Sequence, residues 1–315
     1  MKMEEVIALV LAAGKGTRMK SKLPKVLHKA GGVPMVGQVL RAVKDAGTKR
    51  EIVVVGFGAG AVTAYVGETA ETVVQKEQLG TGHAVLQAES LLQGEKGILL
   101  VTCGDTPLVR TETFRALLDC HKKTQASATV LTACMPDPTG YGRVIRSADG
   151  KVSKIVEQKD GTSQELAVNE VNAGIYCFEL PELWELLHRI GNNNAQGEYY
   201  LTDIIGMLVA DGKTVSAVAA EDYRETLGVN SRLQLAQAEK ILRERKLEEL
   251  MTEGVTVQDP SNTYVETTVT VGRDTVLYAG TVLEGRTVIG ENCEIGPFVR
   301  LTNVAMGDGN SLQYT

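Results

Sequence analysis

The sequence contains few of the residues that build disulfide frameworks, zinc sites or membrane spans. Its five cysteines are odd in number, widely spaced and without a C-x-x-C pair; they are Cys103, Cys120, Cys134, Cys177 and Cys293. This pattern argues against a zinc site and a disulfide framework, so we expect reduced, mostly buried thiols. No apolar stretch approaches the roughly 20 residues of a transmembrane helix. We therefore expect no insertion into a membrane.

An excess of basic charge is also missing. The formal net charge of the 315 residues is −6 at pH 7, so general affinity for nucleic acid or an anionic membrane is not expected. Residues 1–5 carry charges and run directly into a strand-like segment, which fits neither a signal peptide nor a transit peptide. We expect a cytoplasmic protein. With 43% hydrophobic and 23% charged residues, the composition is that of a globular chain with one large or two medium domains.

The first two thirds of the chain alternate short apolar runs with segments of helical periodicity. A run over 6–11 stops at the glycine-rich loop around Gly14, and others cover 51–55 and 98–103, the last just before Asp105. This alternation predicts parallel β-α-β units in a doubly wound, Rossmann-like α/β sheet. Ligands of such sheets lie at the carboxyl ends of the strands, where the Gly14 loop and Asp105 both fall.

Local signals predict further elements downstream. The Asp149-Gly150 pair predicts a β-hairpin. Thr111 is expected to cap one helix, and Ser231 is expected to cap a long helix that runs to about residue 253. The remaining expected elements are strands over 126–133 and 170–178 and helices over 181–190 and 202–209.

The last part of the chain has a six-residue repeat. Apolar residues recur six apart at Val271, Leu277, Leu283, Ile289, Ile295 and Leu301. Repeats of this kind predict a β-helix, in which each triangular coil stacks its aliphatic residues on the next. With three units per coil, six units give about two coils.

The loop after the first apolar run is suited to phosphate. Residues 11–19 read LAAGKGTRM, and the small side chains let backbone N–H groups approach phosphates closely. A Walker A loop needs G-K-[ST], and a dinucleotide fingerprint needs a small residue where Met19 lies, so neither motif fits. Arg18 and Lys25 add two cations beside the loop, which suits a triphosphate. The alternative is a plain strand-to-helix turn with two surface charges.

This loop, L-x-A-G-x-G-T-R-M followed by L-P-K, resembles the sugar nucleotidyltransferase superfamily. The closest resemblance is to the bifunctional N-acetylglucosamine-1-phosphate uridylyltransferase / glucosamine-1-phosphate acetyltransferase family. Further matching segments, in the family's order, are QLGTGHA at 78–84, GYGR at 140–143, IVE at 155–157, NAGI at 172–175, NNNAQGEYYLTD at 192–203 and GVNSR at 228–232. The resemblance implies a nucleotidyltransferase domain over 1–230, a linker helix over 231–253 and the first coils of a left-handed parallel β-helix over 254–315.

The resemblance also implies roles for individual residues. The uridine nucleotide is expected on Leu11, Ala12, Ala13, Gly14, Gln75, Gly80 and Thr81, and the acetylamino sugar on Cys103, Gly104, Gly142, Glu157, Asn172, Tyr200 and Thr202. Arg18 and Lys25 are expected to be catalytic. Asp105 and Asn230 are expected to bind Mg²⁺, an ion that prefers hard oxygen ligands and often few protein groups. Cys103 departs from the family, in which this position is commonly aromatic.

Taken alone, several of these residues have simpler interpretations. Asp105 would suit a turn after a strand, Asn230 a helix cap, and Glu157 a solvated charge on a hairpin. Gln75 would suit an ordinary polar surface position. His83, within QLGTGHA, is expected to be structural, because the implied reaction needs no imidazole.

The implied reaction joins UTP and N-acetylglucosamine 1-phosphate to give UDP-N-acetylglucosamine and pyrophosphate, a step toward the cell wall. The family's β-helix forms trimers and carries an acetyltransferase site; because this chain stops at Thr315, we expect no acetyltransferase activity, and a homotrimer is the implied oligomer. Two alternatives stay open: an enzyme for another sugar, such as glucose 1-phosphate, and a non-catalytic nucleotide-sugar sensor. A β-helix acyltransferase is disfavoured because too few coils are present.

Overall fold

The computed structural model describes residues 5–313. This part of the chain divides into two compact units: a larger one formed by 5–27 and Met35–Asn230, and a smaller one formed by His28–Pro34 and 231–313. Among the described residues, no helix is both long enough and apolar enough to cross a membrane.

Regular elements follow one another closely along residues 5–313. The strands before residue 231 are β1 (Val6–Ala12), β2 (Lys29–Ala30), β3 (Val33–Pro34), β4 (Arg50–Val55), β5 (Glu71–Val74), β6 (Ile98–Cys103), β7 (Ala128–Cys134), β8 (Arg143–Arg146), β9 (Val152–Val156), β10 (Glu170–Glu179) and β11 (Val215–Ala219). The strands after it are β12 (Thr256–Val257), β13 (Tyr264–Val265), β14 (Thr270–Val271), β15 (Val276–Leu277), β16 (Val282–Glu284), β17 (Val288–Ile289), β18 (Glu294–Ile295), β19 (Arg300–Thr302), β20 (Ala305–Met306) and β21 (Ser311–Leu312). The helices are α1 (Met35–Asp45), α2 (Ala59–Val66), α3 (Thr81–Leu86), α4 (Glu89–Leu92), α5 (Thr111–Thr124), α6 (Ser163–Leu166), α7 (Leu180–Leu187), α8 (Asp203–Ala210) and α9 (Arg232–Thr252).

The larger unit is built on a nine-stranded sheet. Its strands lie in the order β11-β7-β10-β6-β1-β4-β5, and the β8–β9 hairpin joins β10. β1 pairs in parallel with β4 and β6, as the alternation of runs and helices predicted. Successive residues of β1 are buried on opposite faces, Leu9 in one apolar core and Val10 in the other. Both faces of the sheet are therefore covered, as in other doubly wound folds.

β10 departs from the parallel arrangement. It runs antiparallel to both β6 and β7, so the sheet is mixed. Its register against β7 shifts between Asn172 and Tyr176. Gly174 lies in this irregularity with a φ of +73°, a conformation that residues with side chains rarely adopt. The Asn172 Oδ1 accepts a hydrogen bond from the Gly174 N–H at 2.9 Å, which stabilises the local bend.

The smaller unit contains the repeats. Three parallel ladders run through it, β12-β15-β18-β21, β13-β16-β19 and β14-β17-β20. The six residues spaced six apart are all buried, from fully buried Leu277, Leu283 and Ile295 to Leu301 at 9% exposure. Each strand contributes its apolar residue to one shared core. The predicted parallel β-helix is therefore confirmed.

Helix α9 and the β2–β3 hairpin belong to this smaller unit. The Ser231 Oγ accepts a hydrogen bond from the Gln234 N–H at 3.2 Å, so the predicted cap of α9 is confirmed. The Gly31 N–H donates to Glu239 Oε2 at 2.6 Å, and the Thr267 N–H donates to the Gly31 carbonyl oxygen at 3.1 Å. These bonds connect the hairpin to α9 and to the loop before β14.

Two expectations about single residues are wrong. The structure places Thr111 as the first residue of α5, and the preceding residue, Arg110, makes no side-chain cap. Thr111 therefore does not cap the helix. All five cysteines are free; Cys177 and Cys293 are buried, Cys103 and Cys120 are half-buried, and Cys134, the last residue of β7, is exposed.

The division into domains at residues 230 and 253 stays a prediction. The compact units group residues differently, since α9 and residues 28–34 belong with the repeats. The physical reason lies in their contacts, because Leu247 and Leu250 of α9 pack into the repeat core. The hairpin is hydrogen-bonded to α9 through Glu239.

Candidate active site

A cavity of about 260 Å³ lies at the carboxyl ends of β1 and β6. It is lined by Leu11, Ala12, Ala13, Gly14, Lys25, Val26, Gln75, Gln78, Gly80, Thr81, Ala84, Cys103, Asp105 and Glu198. Every residue predicted to bind the nucleotide is among them. β1 and β6 are parallel neighbours with Leu11 opposite Cys103, so the ends of the two strands bring the glycine loop and Asp105 together. We call this space the nucleotide cavity.

The glycine loop packs closely against Lys25. Gly16 has a φ of +58°, and a Cβ built on it would lie 2.6 Å from the Lys25 Cβ. Glycine is therefore needed at position 16 for two reasons: it adopts the positive φ of the turn, and it leaves room for the Lys25 side chain. Nothing lies within 4 Å of a Cβ built on Gly14, so this part of the loop is open to a ligand.

Lys25 connects two residues that are far apart in sequence. Its ammonium group contacts the Asp105 carboxylate and donates to Asn230 Oδ1 at 2.8 Å. The side chains of Lys25 and Asp105 are only 13% and 17% exposed. The Val229 N–H donates to the Asp105 carbonyl oxygen at 2.8 Å, and the Gly104 N–H donates to the Leu11 carbonyl oxygen at 2.9 Å. These backbone hydrogen bonds connect the segment of Asp105 to that of Asn230 on one side and to the end of β1 on the other.

The oxygens of Asp105 and Asn230 fit a divalent cation. Both contact one positively charged group, the Lys25 ammonium, so they converge on a single point. A carboxylate and an amide oxygen are hard ligands, and Mg²⁺ commonly completes its shell with water and substrate phosphates. Within residues 5–313, no group of three or more histidine, cysteine or acidic side chains could hold a metal. Asn230 is also not the helix cap, since Ser231 fills that role.

Gln75 is a wall residue of the nucleotide cavity and not an ordinary surface residue. It is 4% exposed. Its Nε2 donates to the Gly80 carbonyl oxygen at 3.1 Å and lies 3.1 Å from the His83 Nδ1. The side-chain amide is therefore held in one orientation.

The loops assigned to the nucleotide and to the sugar are hydrogen-bonded to each other. The Gly82 N–H donates to the Tyr199 carbonyl oxygen at 2.8 Å. The Leu201 N–H donates to the Thr81 Oγ1 at 3.0 Å. A Cβ built on Gly80, whose φ is +110°, would lie 2.6 Å from the Tyr199 carbonyl oxygen. Only glycine allows the two loops to approach this closely.

A second cavity, of about 320 Å³, has Glu157 and Tyr200 in its wall. The Thr202 Oγ1 donates to Glu157 Oε1 at 3.2 Å. Burial raises the pKa of the Glu157 carboxyl; the bond from Thr202 opposes this rise, and the charges of Asp160 and Asp203 add to it. Glu157 is therefore not a solvated hairpin charge. We call this space the sugar cavity.

Asn172 and Gly142 lie side by side near Glu157. The Asn172 N–H donates to the Gly142 carbonyl oxygen at 2.9 Å. The Asn172 Nδ2 donates to the Tyr176 hydroxyl at 2.7 Å, while its Oδ1 accepts from Gly174. One N–H and one lone pair of the amide then remain for a ligand. A Cβ built on Gly142 would lie 3.4 Å from Glu157 Oε1. The glycine therefore leaves the space next to the Glu157 carboxylate open.

Comparisons with known proteins agree with this geometry. The model of the Nucleotidyl transferase family matches residues 7–240, and that of the Bacterial transferase hexapeptide (six repeats) matches residues 268–303. The bifunctional protein GlmU of Geobacillus sp. (strain WCH70) is 52% identical over 98% of this chain and 67% of the relative. The bifunctional protein GlmU of Brevibacillus brevis (strain 47) is 48% identical over 99% of this chain and 68% of the relative. The chain belongs to the GlmU family. It spans about two thirds of the length of these relatives.

Two of the predicted site residues in this GlmU-family chain, Cys103 and Arg18, have surroundings that bear on their expected roles. Burial raises the pKa of the Cys103 thiol to about 12; the charge of Asp105 adds to the rise and that of Lys25 opposes it. This shift favours the protonated thiol over the thiolate, which is the nucleophilic form. Arg18 is exposed on a short 3-10 turn and is not a lining residue of the nucleotide cavity. Among the described residues, it forms no ion pair or hydrogen bond.

Three further polar residues of the GlmU-family site were not predicted from the sequence. Gln78 and Glu198 line the nucleotide cavity. Burial raises the pKa of the Tyr141 hydroxyl, which bonds to the Gly228 backbone and lies near Asp105. All three belong to segments that carried the resemblance, so the signal was present in the sequence. What the sequence lacks is the direction in which each side chain points.

Proposed function

We propose that the larger unit binds UTP in the nucleotide cavity. We propose that it binds N-acetylglucosamine 1-phosphate at the wall of the sugar cavity, next to Glu157. As a GlmU-family member, the chain is a uridylyltransferase that transfers UMP from UTP to this sugar phosphate, giving UDP-N-acetylglucosamine and pyrophosphate. One observation carries the assignment of residues. Asp105 and Asn230 converge on Lys25 at the wall of a cavity lined by all the proposed nucleotide residues.

The nucleophile is the phosphate of the sugar 1-phosphate. The second pKa of a phosphate monoester is about 6, so this group is charged near pH 7 and needs no catalytic base. The difficulty is to bring two anions together in line at the α-phosphorus. Lys25 and backbone N–H groups of the glycine loop are proposed to neutralise the triphosphate and to orient it. Arg18 is proposed to join them from its exposed turn.

Asp105 and Asn230 are proposed to hold Mg²⁺. When bound, the ion supplies positive charge that offsets the charge of the reacting phosphates. The two residues come from different parts of the chain, and the Val229–Asp105 backbone bond of 2.8 Å sets the spacing between their segments. The Lys25 ammonium group contacts the oxygens of both residues.

The sugar is proposed to be recognised mainly by Glu157 and Asn172. The Glu157 carboxylate can accept from sugar hydroxyls, and the Thr202 hydroxyl orients it. Asn172 keeps one donor and one acceptor for the acetylamino group. The other proposed sugar contacts are Cys103, Gly104, Gly142, Tyr200 and Thr202.

The surroundings of the enzyme are also part of this proposal. Five free cysteines suit a reducing compartment, and the proposed substrate UTP fits a cytoplasmic location. The repeats are proposed to support a homotrimer. The nucleotidyltransferase domain, the linker helix and the β-helix remain our proposed functional division of the chain at residues 230 and 253.

The first experiment measures pyrophosphate release from UTP with Mg²⁺. N-acetylglucosamine 1-phosphate, glucosamine 1-phosphate and glucose 1-phosphate are compared as acceptors, with Asp105→Asn as the matched inactive variant. We expect release with the N-acetylated sugar alone. Preference for another sugar would overturn the roles of Glu157 and Asn172, and release that survives in Asp105→Asn would overturn the metal assignment.

A further inference from the structure

We propose that His83 is a positioning residue that fixes the Gln75 amide and thereby sets the preference of the nucleotide cavity for uracil. This inference rests on the proposed uridylyltransferase function and deepens it. His83 does not line the nucleotide cavity, whereas Gln75 does. The His83 ring reaches the wall of the cavity at Gln75, whose Nε2 lies 3.1 Å from the His83 Nδ1.

The orientation of the Gln75 amide follows from its neighbours. A backbone carbonyl can only accept hydrogen bonds, so the atom 3.1 Å from the Gly80 carbonyl oxygen must be the amide nitrogen. The same nitrogen lies 3.1 Å from the His83 Nδ1. An amide nitrogen carries two hydrogens, and these two neighbours account for both. The Gln75 Oε1 is then left as an acceptor at the wall of the cavity.

His83 can accept this bond only in one tautomer. If Nδ1 accepts from Gln75, the ring is neutral and its proton is on Nε2. Gln87 lies on the other side of the ring, where its Nε2 donates to the His83 carbonyl oxygen at 2.9 Å and lies 3.2 Å from the His83 Nε2. A neutral ring has one acceptor nitrogen, so it can accept from only one of the two amides. Gln75 is 4% exposed whereas Gln87 is only half-buried, so an unpaired N–H costs more at Gln75, and we assign the acceptor to Nδ1. The His83 ring projects from the short helix α3 and lies between two side-chain amides, with its Nδ1 facing Gln75.

A fixed acceptor distinguishes the two pyrimidines. The N3 atom of uracil carries a hydrogen and donates, whereas the N3 atom of cytosine carries a lone pair and accepts. An amide locked with its oxygen toward the base pairs with uracil and opposes cytosine. Without the His83 acceptor, one Gln75 N–H loses its partner, and only Gly80 still opposes rotation of the amide. Sites that lose such a bond lose discrimination between bases.

The test uses two substitutions at His83 and a matched control. His83→Leu removes the acceptor at similar volume, while His83→Asn can place an amide oxygen near the former Nδ1. The control is His188→Leu, because His188 is an exposed residue paired with Glu89 at 3.0 Å. Steady-state kinetics are measured with UTP and with CTP at saturating N-acetylglucosamine 1-phosphate.

For His83→Leu, we expect KM for UTP to rise about tenfold with kcat little changed, and the UTP-to-CTP ratio of kcat/KM to fall about tenfold. His83→Asn should recover most of both values, and His188→Leu should match the unaltered chain. An unchanged ratio in folded His83→Leu, or failure of His83→Asn to recover it, would overturn the inference.

A second measurement needs no variant. The unaltered chain should reject UTP methylated at N3, because a methyl group replaces the hydrogen that the Gln75 Oε1 accepts. Use of this analogue as efficiently as UTP would refute the acceptor role even if His83→Leu did not fold. Failure of the proposed function has a different signature, since the unaltered chain would then be inactive with UTP itself.

Discussion

Replacing Lys25 with methionine should separate two effects of its ammonium group. This group contacts the Asp105 carboxylate and donates to Asn230 at 2.8 Å. A divalent cation that uses the same two oxygens must displace it. Lys25→Met keeps most of the side-chain volume and removes the charge. We therefore expect tighter binding of the metal to the free chain and slower catalysis in the same variant.

The magnitude follows from the contacts that the metal must break. Net contributions of hydrogen bonds to charged groups are about 1.5–3 kcal/mol, and these side chains are only 13% and 17% exposed, so screening by water is limited. Since about 1.4 kcal/mol corresponds to a factor of ten, the metal dissociation constant should fall about 10- to 100-fold. Loss of a cation that neutralises the reacting phosphates should lower kcat by about 10²–10³.

The assay titrates the free chain with Mn²⁺, whose unbound fraction is read by electron paramagnetic resonance. The matched control is Lys22→Met, because Lys22 is an exposed lysine three residues before Lys25. Asp105→Asn serves as the variant that should lose the site. Turnover is measured separately by pyrophosphate release.

Two results would refute this reasoning. If Lys25→Met binds Mn²⁺ no more tightly than the unaltered chain while Asp105→Asn loses binding, Lys25 does not compete with the metal. If Lys25→Met turns over at a near-normal rate, Lys25 has no part in the reaction. Equal changes in Lys22→Met would point to general surface charge.

Three further variants test separate parts of the structure. Glu157→Gln should remove one acidic limb from the pH dependence of KM for the sugar phosphate. Burial raises the pKa of Glu157, so the unaltered chain loses its carboxylate acceptor as the pH falls through that raised value, whereas glutamine does not titrate. Gly80→Ala should raise KM for UTP by at least about tenfold, because its Cβ would lie 2.6 Å from the Tyr199 carbonyl oxygen. Ser231→Ala should lower the free energy of unfolding in urea by about 1 kcal/mol through loss of the α9 cap.

Each variant has its own comparison. The substrate phosphate titrates near pH 6 in both the unaltered chain and Glu157→Gln, so only the difference between their profiles reports Glu157; identical profiles would contradict its role. Gly94→Ala also replaces a glycine at positive φ, +84°, but meets nothing within 4 Å, and an equal effect there would rule out the clash. Unchanged stability in Ser231→Ala would show that the cap contributes little.

The strands and repeats could be predicted because each has a local pattern. The observed β6, Ile98–Cys103, has the predicted bounds, since a buried strand needs a continuous apolar run. The six-residue spacing specified the β-helix, since every unit buries one aliphatic residue. The antiparallel direction of β10 had no such signal, because a strand buried on both faces has the same pattern in either direction.

The contacts of the candidate site depend on distances that no local pattern contains. Lys25 and Asp105 are 80 residues apart, and Lys25 and Asn230 are 205 apart. The resemblance supplied these residues, but only the fold shows that two proposed metal ligands both contact Lys25. Likewise, the sequence placed His83 beside Gly80 without indicating that its ring faces Gln75.

The hairpin of residues 28–34 matters for protein engineering. The chain leaves the larger unit after Leu27, returns at Met35 and leaves again after Asn230. A fragment cut at residue 230 would therefore retain the hairpin but lose Glu239 and Thr267, which bond to the Gly31 N–H and carbonyl. Lys25 lies three residues before this orphaned segment, and Asn230 would become a chain end. A fragment that ends after α9 would keep the Glu239 bond but lose the Thr267 bond, so a shorter catalytic fragment calls for a redesigned turn in place of residues 28–34.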